Sequence, residues 1–86
     1  MRVLIAEDDF ASRKFMLRFL SMYGECDVTV DGSEAVQAFE MALESNEGYD
    51  LVCLDIMMPG EDGYQALKKM RDIENKMKIP ENKRAK

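Results

Sequence analysis

At 86 residues, 47% hydrophobic and 34% charged, the chain has the composition of one folded domain, too short for two cores and too apolar for a disordered segment. A net charge of −5 speaks against a nucleic-acid partner, because phosphate contacts need clustered Lys and Arg, and the one basic cluster, Lys83, Arg84 and Lys86, reads as a solvated end. Histidine is absent, which excludes His-dependent triads and His-ligated zinc, and no apolar run reaches the roughly 20 residues of a bilayer crossing; the expected setting is cytoplasmic, with no membrane partner.

In chain order, "RVLIA" at residues 2–6 is a continuous apolar run, the mark of a strand buried on both faces. "FASRKFMLRFLSMYG" then changes period: Phe15, Phe19 and Met22, with Met16, Leu20 and Tyr23, recur at helical spacing and predict an amphipathic helix stopped by Gly24. "CDVTV" alternates as a half-exposed strand does. "DGSEAVQAFEMALES" predicts a helix capped by Ser33 with Ala35, Phe39, Ala42 and Leu43 on its inner face. "LVCLDIMM" is a third strand with its surroundings, and Tyr64, Leu67, Met70, Ile73 and Met77 predict a third helix after the "PGEDG" turn. Cys26 and Cys53 lie in strand-like runs outside any CxxC pair and read as buried, reduced thiols. The alternation of strand and helix is that of βαβ units, hence an α/β fold with a parallel sheet covered by helices. Residues 78–86 read as a polar basic tail beyond the third helix, at about residue 77.

The acids sit where such a sheet binds ligands, beyond the carboxyl ends of its strands. Glu7, Asp8 and Asp9 follow the first strand and Asp55 ends the third; if those strands are neighbours, the carboxylates converge. Converging carboxylates repel, so some must be protonated or a cation must neutralise them, and an oxygen-only donor set favours Mg²⁺. A carboxylate beside Mg²⁺ can also attack phosphorus. Asp55, fixed alone at a strand end, is best placed for that role, with Glu7 and Asp8 holding the metal. Asp9 has the alternative of capping the first helix, and Glu7 and Asp8 that of solvated loop acids. Pro59, Gly60 and Gly63 shape a tight loop able to aim a carbonyl at a metal, and Met57 is the natural donor.

"VLIAEDD", "DGSEAV" and "DLVCLDIMMPGEDG" together resemble the receiver domain of two-component response regulators, the last stretch resembling the D-x-x-M-P-x-x-x-G phosphoacceptor signature. The resemblance implies a flavodoxin-like doubly wound sheet of order 2-1-3-4-5, of which this sequence supplies the (βα)₃ portion with order 2-1-3 and lacks strands four and five. It implies that Asp55 accepts a phosphoryl group from a histidine kinase or phosphotransfer protein, and that Glu7 and Asp8 bind Mg²⁺ with the Met57 carbonyl as a further ligand. The chain would then promote its own phosphorylation and dephosphorylation rather than turn over a substrate. The family's Ser or Thr after strand four and Lys after strand five lie beyond residue 86, and neither Lys83 nor Lys86 takes the latter role. A third strand left at the edge would offer unpaired backbone groups, and self-association through that edge is expected, giving a dimer. Two other readings share these residues: an interaction module without phosphotransfer, and a Mg²⁺ phosphohydrolase whose nucleophile, Asp8, follows the first strand.

Overall fold

The computed structural model describes residues 1–55 and 62–86. The elements follow the expected alternation: β1 (Arg2–Ala6), α1 (Phe10–Leu20), β2 (Glu25–Thr29), α2 (Gly32–Glu44), β3 (Leu51–Leu54), α3 (Gly63–Lys76) and a short 3₁₀ turn at Glu81–Lys83. The described strands form a parallel sheet of order β2-β1-β3, with Val3 opposite Cys26 and Leu51, and Ala6 opposite Thr29 and Leu54.

The central strand is β1, and its sequence shows it: Val3, Leu4, Ile5 and Ala6 are all 0% exposed. One connection steps from β1 outward to β2 and the next returns past β1 to β3, so right-handed crossovers put α1 and α2 on opposite faces. On the α2 and α3 face, Leu4 and Ala6 join Ala35, Phe39, Ala42, Tyr49 and Met70 in the main core. Alternation turns Val3 and Ile5 to the other face, where α1 lies against β1 and β2.

The helix starts are set by aspartates. Asp31, not Ser33, caps α2, its Oδ1 accepting from the Glu34 N–H at 2.7 Å, so the helix begins at Gly32 with Ser33 inside its first turn. Asp62 caps α3 in a reciprocal box with Gln65. Gly24 does not end α1, which stops at Leu20 with Ser21 as its C-cap. Its part is a close approach: a Cβ there would lie 1.9 Å from the Met1 carbonyl oxygen.

Two helical faces differ from the expected ones. Phe15, Phe19, Met22 and Tyr23 are exposed, and α1 turns its half-buried side, with Met16, Leu17 and Leu20, to the sheet. The helix is apolar around much of its circumference, so spacing alone did not select the side. In α3 the buried residues are Gly63, Ala66, Met70 and Glu74, leaving Tyr64, Leu67 and Met77 exposed. The α2 face is as expected, with Leu43 half-buried beside the rest. Cys26 and Cys53 are free thiols, each half-buried rather than buried.

Glu74 also changes the reading of the tail. Its carboxylate is 1% exposed, takes a bond from Arg71 Nη1 at 2.5 Å, and accepts the Ala85 N–H at 3.0 Å. Arg71 Nη2 donates to the Ala85 carbonyl at 2.9 Å, so one ion pair grips both backbone groups of Ala85. The next residue then pairs with β3: the Lys86 N–H donates to the Asp50 carbonyl at 2.9 Å, and the Val52 N–H donates to the Lys86 carbonyl at 3.0 Å. Ala85 and Lys86 are therefore docked within the fold, and the outer edge of β3, expected to be bare, has its Val52 N–H paired within the chain.

Replacing Glu74 by Ala leaves the Ala85 N–H and Nη1 of Arg71 without their acceptor, at a cost of about 2 kcal/mol. Native-state hydrogen exchange should show Val52 and Lys86 amides losing protection well before those of β1; unchanged Val52 protection would mean that the clamp does not hold the tail.

Candidate functional site

The site forms where β1 and β3 end side by side. The Asp55 N–H donates to the Ala6 carbonyl at 3.0 Å, extending the pairing one residue past β3 and setting Asp55 next to the residue after β1. On the other flank the Glu7 N–H donates to the Thr29 carbonyl at 3.1 Å, while buried Thr29 Oγ1 donates to the Ile5 carbonyl at 2.9 Å. Glu7 is thus pinned to β2 and Asp55 to β1. Carboxylate oxygens of Glu7, Asp8 and Asp55 all lie within 4.8 Å of one another, with Glu7 and Asp55 half-buried and Asp8 exposed.

Three carboxylates at that spacing leave an electrostatic mark. Burial first, then a hydrogen bond shared with Asp55 and the charges of Asp55 and Asp8, hold the Glu7 carboxyl above its ordinary value of 4.5, against the Asp9 backbone N–H, which favours the ionised form. Oxygen is the donor available in this cluster, so the cation that suits it is hard and divalent. The residues fit such an ion: the oxygens are close enough for one to touch more than one carboxylate, and its charge would oppose the repulsion that lifts Glu7.

The structure brings together Glu7, Asp8 and Asp55 of the residues expected at a metal. It separates Asp9, whose Oδ2 accepts the Ser12 N–H at 2.9 Å and caps α1. That bond holds the Asp9 carboxyl below the usual range, as a cap at a helix start should. Asp9 was the further candidate ligand, and the first turn of α1 uses it instead. Met57, Pro59 and Gly60 lie outside the described residues. Sequence reasoning missed Thr29 and Arg13. Arg13 Nη1 lies 3.0 Å from the Glu7 carbonyl and 3.3 Å from that of Asp8. A Thr ending a strand and an Arg in a first helical turn are common, and neither spacing marks them. Beside the acids opens a cleft of about 520 Å³ lined by Glu7, Ala11, Ser12, Phe15 and Met16.

Comparison with known proteins agrees with this fold. The chain is 31% identical over 80 residues to the hybrid signal transduction histidine kinase L of Dictyostelium discoideum, a match covering 92% of this chain and 5% of that protein. It is 39% identical over 79 residues to the transcription factor SKN7 of Saccharomyces cerevisiae, covering 90% of this chain and 12% of that one. The receiver domain of the histidine kinase CKI1 from Arabidopsis thaliana, solved in complex with Mg²⁺ and BeF₃⁻, superposes with a TM-score of 0.80 at 28% identity, over 92% of this chain and 60% of that chain. This chain thus spans a small part of these curated relatives and about three fifths of the solved receiver. The family model of the response regulator receiver domain matches residues 3–80, across the sheet, the helices and the acid cluster, and the chain belongs to that family.

Proposed function

We propose that this domain is a phosphoacceptor, in which Asp55 takes a phosphoryl group from the phosphohistidine of a histidine kinase or phosphotransfer protein, with Mg²⁺ held by Glu7, Asp8 and Asp55. The observation that carries the reading is the convergence of these three carboxylates at the paired ends of β1 and β3. Family membership supports it, and so does the CKI1 receiver bound to Mg²⁺ and BeF₃⁻.

The roles follow from the geometry. The Asp55 N–H holds the residue at the end of β3, and its carboxylate acts as nucleophile: an oxygen forms the bond to phosphorus, the phosphorus–nitrogen bond of the donor breaks, and the imidazole leaves with the bonding pair and picks up a proton. Glu7 and Asp8 hold the cation, which when bound supplies positive charge against the anionic phosphoryl group. Exposed Asp8 and the cleft along α1 leave one side of the cluster open to an incoming donor. Such a domain promotes a single transfer to itself, so it is a switch element and not a turnover enzyme.

Incubation with acetyl phosphate and Mg²⁺ should label the wild type; Asp55→Asn should lower labelling by at least about 100-fold, and chelation of the metal should do the same. Equal labelling of wild type and Asp55→Asn would place the acceptor elsewhere.

The raised pKa of Glu7 gives a second test. Because the folded protein favours protonated Glu7, this contribution to stability is complete below the ordinary glutamate value of 4.5 and is lost as pH rises through the folded value. In metal-free buffer Glu7→Gln should therefore raise the unfolding midpoint at neutral pH, with the gain vanishing below pH ~3. Adding Mg²⁺ should stabilise the wild type at neutral pH and the variant much less. A Glu7→Gln midpoint no higher than wild type at neutral pH would show that the acids do not strain one another.

A further inference from the structure

We propose that Arg13 is a positioning residue for the acid pair: its side chain ties down two consecutive carbonyls of the loop carrying Glu7 and Asp8, and thereby sets the affinity of the cluster for a divalent cation. The inference rests on reading that cluster as a Mg²⁺ site.

The contacts are specific. Nη1 of Arg13 donates to the Glu7 carbonyl at 3.0 Å and to the Asp8 carbonyl at 3.3 Å, and the Arg13 backbone N–H donates to the Asp9 carbonyl at 2.9 Å. The carbonyls of residues 7 and 8 are therefore bound by one side chain of α1, while the Asp9 carbonyl takes the first backbone bond of that helix and the Asp9 side chain caps it through Ser12. The guanidinium is itself placed, half-buried and 5.5 Å from the centre of the Phe10 ring. Its bonds go to carbonyls and leave the Glu7 and Asp8 carboxylates to converge on Asp55.

That convergence opposes the repulsion among the three acids, and a loop free to relax would let them part. Partners that orient metal ligands from behind typically govern affinity by 10–100-fold. A charge effect of Arg13 would have the opposite sign. A guanidinium near a cation site repels the cation, so deleting it would tighten binding on Coulombic grounds alone. Bracing predicts that deleting it weakens binding.

Calorimetric Mg²⁺ titration of the wild type, Arg13→Ala, Arg13→Lys and Arg13→Gln reads this sign directly. Arg13→Ala should bind Mg²⁺ about tenfold more weakly, and in metal-free protein its Asp9 and Phe10 amides should exchange faster with β1 protection unchanged. Arg13→Lys and Arg13→Gln each keep a donor that can reach one carbonyl, and both should fall between wild type and Ala despite their different charge. Wild-type or tighter affinity in a folded Arg13→Ala protein would overturn the bracing role and leave the Mg²⁺ site standing. If Arg13→Ala does not fold, Arg13→Gln decides: weaker binding than wild type supports the role, equal or tighter binding overturns it. A wild type that binds no Mg²⁺ would overturn the site and this inference together.

Discussion

The parallel pairing of β1 with β3 is the constraint on which the site depends. It brings the ends of two strands, separated by a strand and two helices in the sequence, to the same level, and the bond from the Asp55 N–H to the Ala6 carbonyl carries the register one residue beyond β3. A slip of one residue would move Asp55 by about 3.3 Å along the sheet and turn its side chain to the opposite face. The packing resists that slip, because it would also exchange Val52 and Leu54, which lie against the core, for Cys53. The register that packs the α2 and α3 face is thus the register that assembles the acids.

The same pairing creates an unfavourable arrangement. Glu7 follows directly on four residues with no exposure, and its carboxyl is held near two others of the same sign. The protein responds through the backbone: Thr29 takes the Glu7 N–H, Arg13 takes the carbonyls of Glu7 and Asp8, and Asp9 is drawn into the cap of α1. The main-chain bonds anchor the loop without neutralising the carboxylates. In a cluster built so the repulsion is contained and not removed.

What could be read from the sequence divides along the same line. β1 was legible because a strand buried on both faces must be continuously apolar, and α2 because one side of it is plainly apolar. The acids at strand ends were legible because carboxylates beside apolar runs need a reason. The inner face of α1 was not, since Phe15, Met16, Phe19 and Leu20 all satisfy a helical period and only the position of the sheet selects among them. Glu74 was hidden for a different reason. A glutamate in a charged helix reads as solvated, and its burial depends on Arg71 and on the Ala85 backbone, eleven residues away. Arg13 and Thr29 escaped because they act on carbonyl and amide groups, which every residue has and which carry no sequence signal.

The clamp and the site meet in β3. One edge of that strand is paired with β1, and the other receives Lys86, delivered by the grip of Arg71 and Glu74 on Ala85. β3 has only four residues, a short strand with few side chains of its own to hold it in place. Pairing on both edges restricts the strand's sliding and twisting, the motions that would carry Asp55 away from Glu7 and Asp8. The Arg71–Glu74 pair on α3, with its glutamate buried, therefore bears on the strand whose continuation carries Asp55. Stability on the far edge of the sheet and the geometry of the carboxylates become one property of the same short strand.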